Sequence, residues 1–326
     1  MSLPDQFRGA DGLLDGARCV FVIGAPRSGT TWLQRMIEAH PSVASIPQEL
    51  TLFSRYLDPI VKAYAQEESN MAQGRWMQGL PLLWSRERFN RFTRQALSAA
   101  YEEVIKQNPQ GTILLDKHPG YCFHLSLLEQ YLPGCRIIHI IRDGREVAVS
   151  MLSAKERIGF GASSIQGCAI EWADSVIAAR AHGAIIGAQR YMELRYEQLV
   201  ERTADELARV LAFCGLPADD DQVRMIAEAN HISRKAVSSA DPAMHRLRTE
   251  KGESWSTKLD VRQRFWFNRI AGSQLTKLGY AKSDWWAFSS WEKARMALFP
   301  LRVRLGESLR LLKRIWTSPI TRQVRP

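Results

Sequence analysis

Residues 18–24 read Arg-Cys-Val-Phe-Val-Ile-Gly, a short apolar run that ends on glycine. Such a run, closed by a turn residue, reads as a buried strand. The next eight positions, Gly24-Ala-Pro-Arg-Ser-Gly29-Thr30-Thr31, hold a second glycine and three hydroxyl side chains. Helical spacing then runs over residues 30–39 until His40-Pro41 stops it. Strand, glycine loop and helix in that order constrain the fold strongly. The glycines let the backbone curl so that N–H groups face an anion, and the helix start adds favourable partial charge.

The same alternation recurs downstream. Ile113-Leu-Leu115 reads as a second strand, followed by a helix over residues 125–131 and a turn at Leu132-Pro-Gly-Cys. Arg136-Ile-Ile-His-Ile-Ile141 is a third strand, and Tyr191-Met-Glu-Leu-Arg-Tyr196 a fourth after another helix. Residues 50–107, rich in aromatics and arginine at helical spacing, read as several helices. Buried strands alternating with helices predict an α/β protein: a P-loop-type three-layer fold with a central parallel sheet flanked by helices. Ligands in such folds sit beyond the carboxyl ends of the strands, so the residues just after each strand carry the functional reading.

With 326 residues, 45% hydrophobic and 24% charged, the chain can bury a large core. We expect a main domain over residues 1–284, with a helical acceptor-side region at about 50–110, and a basic amphipathic extension over 285–326. From Trp285 onward there are nine Lys/Arg against two acids, so +7 of the net +10 lies there. The body is therefore not a nucleic-acid-binding surface on charge alone. No run approaches a membrane span, and residues 1–18 hold three Asp and no apolar stretch, unlike a secretory signal. The five cysteines are scattered without a Cys-x-x-Cys pair, which predicts reduced thiols in a cytoplasmic protein and no metal site.

The glycine loop has the frame of a Walker A motif, with Thr30 where the lysine belongs. That lysine reaches the β- and γ-phosphates of ATP or GTP, so a loop lacking it suits a shorter anionic tail. Arg27, Ser28, Thr30 and Thr31 supply donors, and Gly29 supplies the turn. A second anion site is read at the third strand's end: Arg142, with Ser150 about two turns into the next helix. The bland alternative is a turn held by Asp143 and Gly144.

Ala25-Pro-Arg-Ser-Gly-Thr-Thr-Trp-Leu33 closely resembles the 5′-phosphosulfate loop of sulfotransferases that use 3′-phosphoadenosine 5′-phosphosulfate (PAPS), in the arginine form of the bacterial and Golgi-type branches. Ile141-Arg-Asp-Gly-Arg-Glu-Val-Ala-Val-Ser150 resembles the 3′-phosphate motif of that family with its Arg-to-Ser spacing intact. The likeness covers residues 19 to about 200 and continues faintly to Leu278-Gly-Tyr280. It implies a PAPS-dependent sulfotransferase (class 2.8.2) that leaves the desulfated nucleotide PAP, needs no metal, and sulfates a hydroxyl acceptor such as a carbohydrate, glycolipid, small alcohol or phenol. Tyr196-Glu197 is similar to a segment that contacts adenine. Lys251-Gly252 with Trp255 is similar to the basic loop over the 3′-phosphate, although the full Arg-Lys-Gly-x-x-Gly pattern is absent.

Sulfuryl transfer, like phosphoryl transfer, asks the protein for position and charge. Arg27 and Lys117, in Leu115-Asp-Lys-His-Pro119, are the expected donors to the departing phosphate oxygen. The resemblance implies Glu49, in Pro47-Gln-Glu-Leu50, as the base, at the position of the glutamate in the protein-tyrosine and carbohydrate branches. His118, whose imidazole has the right pKa range and which follows Lys117 as a histidine follows a Lys-Thr pair in the cytosolic branch, is the other candidate, and Glu49 is favoured. His40, His124 and His139 read as structural. The segment 75–94 could line an acceptor site, but an aromatic stripe at helical spacing is by default core packing. An ATP-dependent small-molecule kinase is an alternative, disfavoured by the missing lysine and the Arg142/Ser150 pair. A non-catalytic nucleotide-binding adaptor at a membrane is another, disfavoured by Arg27, Lys117 and a candidate base. Leu305, Leu309, Leu312 and Trp316 share one helical face with Arg302, Arg310, Lys313 and Arg314 on the other side, which leaves open packing on the enzyme's own core or peripheral membrane contact.

Overall fold

A computed structural model describes residues 3–159, 161–230 and 254–297. Strand β1, Cys19–Ile23, is buried along its whole length. Helix α1, Thr30–Glu38, follows the glycine loop. A three-residue strand, β2 (Val43–Ser45), comes next and was not anticipated. The helical insert consists of a π-helical segment, Leu52–Leu57, then α2 (Asp58–Ala72) and α3 (Arg86–Ile105). Strand β3, Ile113–Lys117, runs two residues beyond the expected Leu115, carrying Asp116 and Lys117 inside the sheet.

A 3-10 turn, Pro119–Phe123, leads into α4 (Leu125–Tyr131) and β4 (Arg136–Ile141). Helices α5 (Gly144–Ile158) and α6 (Ile165–Ile186) precede β5 (Tyr191–Arg195). Helices α7 (Tyr196–Glu201), α8 (Thr203–Cys214) and α9 (Asp220–Ala229) complete the contiguous part. After residue 253 come α10 (Trp255–Lys258), α11 (Val261–Lys277) and α12 (Ser290–Ala297).

The five strands form one sheet in the order β2-β3-β1-β4-β5, parallel throughout. Period-two alternation sorts the core. Phe21 and Ile23 join Tyr101, Leu125, Leu128 and Tyr131 in one apolar cluster. Val20 and Val22 join Leu33, Met36, Leu207 and Val210 in another. Both faces of β1 are thus covered, as an all-parallel sheet requires. A third cluster, built from Ala25, Ile141, Met151, Trp172, Phe267 and Leu275, ties α5, α6 and α11 together. The five cysteines are buried free thiols. The described part of the expected C-terminal extension packs on the body: the Trp285 ring lies 5.1 Å from that of Trp255, and Glu292 pairs with Arg264 at 2.6 Å. The amphipathic face at 305–316 falls outside the described residues.

The sheet order places the site. From central β1 the chain goes first to the β2-β3 side and then to the β4-β5 side, so the loops after β1, β3 and β4 part around a crevice. Val22 is in register with both Lys117 and Ile138, and the His118 N–H donates to the Val22 carbonyl at 3.3 Å.

Candidate active site

The glycine loop takes the anion-cradling form that its sequence predicts. Gly29 has φ +101° and caps α1 with no side chain, leaving the first-turn N–H groups facing the loop. Arg27 has φ +73°, a left-handed conformation that is rare outside glycine and costs about 1 kcal/mol or more. The surroundings hold it there: its Nε donates to Ser150 Oγ at 3.0 Å, and its carbonyl accepts from Arg142 Nη1 at 3.2 Å. The two motifs read separately in the sequence are therefore one connected site. Ser28 Oγ is buried with no hydrogen-bonding partner among the described residues. An orphaned hydroxyl in a loop of N–H groups fits an anionic oxygen.

Tyr196 forms the wall between the two motifs. Its ring stands 4.4 Å from the Arg142 guanidinium and 5.8 Å from the Trp32 ring, edge-on. It also fills the space where a Gly29 side chain would lie, since a Cβ there would come within 2.6 Å of the ring. Burial pushes the Tyr196 phenol up, and Arg142 pulls it back. Behind Arg142, its carbonyl accepts from Trp172 Nε1 at 3.0 Å, and the Asp143 N–H donates to Glu197 Oε1 at 2.9 Å.

Three of the expected residues meet at the end of β3. Lys117, 2% exposed, places its Nζ 2.6 Å from Glu49 Oε1. His118 Nε2 lies 3.6 Å from Glu49 Oε2, so one carboxylate bridges the ammonium and the imidazole. Burial holds His118 below the ordinary histidine range; Glu49 opposes that, while Lys117, His124 and Arg55 reinforce it. At pH 7 the imidazole is consequently neutral. Its ring sits over Gly120, where a Cβ would approach to 2.7 Å.

His40, His124 and His139, read as structural from the sequence, are placed as hydrogen-bonding groups. His40 Nε2 pairs with the Pro217 carbonyl at 2.9 Å, His124 Nδ1 with the Gly120 carbonyl at 3.0 Å, and His139 Nδ1 with the Tyr191 hydroxyl at 2.6 Å. Burial pushes His139 down to about 3. Lys251 lies outside the described residues. The default reading of segment 75–94 as core holds for Phe89 but not for its flanks: Trp76, Met77, Leu82, Leu83 and Phe92 are exposed. A cleft of about 360 Å³ lies over α3, lined by Trp84, Arg88, Arg91, Phe92 and Gln95.

Sequence reasoning passed over Arg145. Its guanidinium is bound to Asp143 at 2.6 Å and stacked between Trp255 and Trp285 at 4.1 and 4.8 Å. It braces the first turn of α5, and no local pattern marks its two stacking partners, which lie more than a hundred positions away. Asp116 and Tyr121 were likewise unremarked, although a lone Asp closing an apolar strand is a signal of a satisfied buried carboxylate.

Residues 19–220 match the model of the Sulfotransferase family. The chain belongs to that family and is a sulfotransferase. It is 27% identical over 268 residues to protein-tyrosine sulfotransferase 1 of Danio rerio, covering 80% of this chain and 72% of that one. It is 24% identical over 288 residues to nodulation protein NoeE of Sinorhizobium fredii, covering 81% and 66%. The chain spans from 38% to 72% of the length of the protein-tyrosine sulfotransferases of Danio, Drosophila, Caenorhabditis and Gallus. Its fold is similar to that of mouse sulfotransferase SULT7A1 complexed with PAP, with a TM-score of 0.50, 16% identity, and coverage of 83% of this chain and 90% of that one. Among the described residues, no helix is long and apolar enough to cross a membrane.

Proposed function

We propose that this sulfotransferase moves the sulfuryl group of PAPS to an acceptor hydroxyl by in-line displacement, without a metal, with Glu49 as the general base. The observation that carries the reading is the Glu49–Lys117–His118 contact at the end of β3, in register with the strand that delivers the glycine loop. The 5′-phosphosulfate would lie on the N–H groups of Arg27 and residues 29–31, with Ser28 Oγ and the hydroxyls of Thr30 and Thr31 as further donors; the Ser28 N–H itself donates to the Ala25 carbonyl at 3.1 Å. The 3′-phosphate would lie at Arg142 and Ser150.

In the transfer step the acceptor oxygen forms a bond to sulfur, and the bond from sulfur to the 5′-phosphate oxygen breaks. PAP leaves with that electron pair, which Arg27 and Lys117 stabilise. Glu49 takes the acceptor proton. Lys117 holds Glu49 before the donor arrives, and moving to the phosphosulfate would release the carboxylate for that role. His118, neutral and 3.6 Å from Glu49, is the second candidate base. The acceptor is a carbohydrate, glycolipid, or other alcohol or phenol; the relationship to protein-tyrosine sulfotransferases keeps phenols in the set. The C-terminal residues 298–326 are proposed to make peripheral membrane contact, which co-sedimentation with anionic vesicles of the full chain against one truncated before Phe299 would test.

The deciding experiment is transfer of labelled sulfate from PAPS across phenols, sugars, glycolipids and peptides, with and without EDTA. Transfer that EDTA does not affect is expected. Thermal stabilisation by ATP with Mg²⁺ and none by PAP would instead support the kinase alternative.

A further inference from the structure

Asp116 is a carboxylate inside the sheet, 3% exposed, one residue before Lys117. Its Oδ2 accepts two hydrogen bonds, from the Tyr101 hydroxyl of α3 at 2.8 Å and from the Tyr121 hydroxyl at 3.1 Å. Burial pushes both phenols up, so both remain protonated donors. Burial also raises Asp116 itself, and the two tyrosine bonds and Lys117 oppose that rise.

The two tyrosines differ in what else they touch. Both sit in the apolar cluster on one face of the sheet, but Tyr101 belongs to α3. Tyr121 belongs to the turn that begins immediately after His118. Its ring centroid is 4.9 Å from the His118 ring, 5.4 Å from Phe53 edge-on, and 6.1 Å from Phe21. Phe53 lies in the π-helical segment four residues after Glu49. Phe21 lies in β1, which delivers the glycine loop. One phenol therefore joins the strand that carries Lys117, the turn that carries His118, and the segment that follows Glu49.

We infer that the Asp116–Tyr121 hydrogen bond is a positioning latch: it holds the turn after β3 so that His118 and Lys117 meet the Glu49 carboxylate. Asp116 and Tyr121 are positioning residues; the groups at the reacting atoms remain Glu49, Lys117 and His118. The latch rests on the proposed active site. A buried hydroxyl bonded to a carboxylate suits this task because the low-dielectric interior strengthens the bond and a displaced partner would strand a charge. The alternative is that Asp116 merely ties α3 to the sheet through Tyr101, in which case the two tyrosines are equivalent toward His118 and neither hydroxyl bears on it.

That equivalence is what the experiment reads. Tyr121→Phe and Tyr101→Phe each remove one hydroxyl bond to the same oxygen and keep the ring. The His118 imidazole is followed by NMR titration in the full chain, assigned with His118→Gln, with no donor or acceptor present. The groups around it are Glu49, Lys117, His124 and Arg55. In Tyr121→Phe the turn loosens, His118 gains solvent, and its midpoint rises toward 6.5 by about 0.5 pH or more. In Tyr101→Phe the midpoint stays at the wild-type value. Phe53→Leu, which relaxes the Tyr121 ring from the other side, shifts the midpoint in the same direction as Tyr121→Phe and provides a second reading if that variant is unstable. Equal shifts in the two tyrosine variants, or none in Tyr121→Phe and Phe53→Leu, overturn the latch. Full transfer activity in Glu49→Gln would overturn the base assignment and leave the titration result standing, so the two failures are distinguishable.

Discussion

The proposed donor side and the proposed acceptor side of this site are built in different ways. On the donor side, residues 24–31 and 142–150 are two contiguous stretches, each at the end of one strand, joined by the bond from Arg27 to Ser150 and the one from Arg142 to the Arg27 carbonyl. On the acceptor side, the proposed base Glu49 follows β2, while His118 and Lys117, the latter also proposed to reach the donor's leaving oxygen, close β3, so the cluster exists only once distant segments have docked. Beyond it stands an insert whose outer side chains are open to solvent: Met77 is 73% and Leu83 75% exposed. An anion is held largely by backbone N–H groups, so the means of binding it is written locally. On the proposed assignment, an acceptor would be met by side chains that only the tertiary fold assembles.

If that contrast is right, changes on the two sides will separate turnover from nucleotide affinity. The largest effect is expected for Glu49→Gln: turnover falls about 100-fold or more, as for loss of a general base, while PAP affinity stays within about twofold of wild type. Kinetics paired with a PAP titration check it; full activity there with loss in His118→Gln would move the base to His118. Next, Arg142→Ala removes a charge-assisted contact worth about 1.5–3 kcal/mol, so PAP affinity drops about tenfold or more. Ser150→Ala acts in the same direction. Calorimetric titration decides, and unchanged affinity in both variants would remove the second anion site.

The pH dependence sharpens the contrast further. His118 is held below 6.5 by burial, so it is neutral at pH 7 and takes up a proton only as pH falls through its lowered value. The protonated ring would place a cation beside Glu49. Turnover is therefore expected to be flat through neutrality and to decline on an acid limb that lies below pH 6.5. A limb centred above 6.5 would contradict the burial of His118. The smallest effect is expected on the outer insert. Leu83→Ser should change unfolding free energy by no more than about 0.5 kcal/mol, whereas Phe89→Ala, fully buried and stacked on Tyr64, should cost about 3–5 kcal/mol. Denaturant melts of the two variants test whether that surface is as free of structural duty as its exposure indicates.

What could be read from the chain follows the same division. Buried strands flanked by turn residues were legible, and so were the glycine loop and the Arg-to-Ser spacing, because each is a local pattern. The strand Val43–Ser45 was not, since three residues offer too little periodicity to register. Asp116 and Lys117 looked like the end of a strand because polarity ordinarily marks the surface, yet both are buried and paired. Glu49 and His118 could be named as rival bases; that they touch the same neighbours could not. The exposed aromatics of residues 76–92 were misjudged by a spacing rule that says which residues share a face and not whether anything covers it.

The position of β1 at the middle of the sheet also governs the order in which the molecule can be made. Val20 pairs on one side with Leu115 and on the other with Arg136, each roughly a hundred residues downstream. The glycine loop emerges well before its strand's partners, and that strand has neither neighbour until residues 113–141 have emerged. At about 5–20 residues per second of synthesis, that wait is on the order of ten seconds. During it an apolar strand and a Gly-Pro-rich turn have no sheet to join. Long-range parallel pairing of this kind makes for slow folding and prolonged exposure of strand edges. The most recognisable motif in the chain therefore waits on two later strands for its place in the sheet.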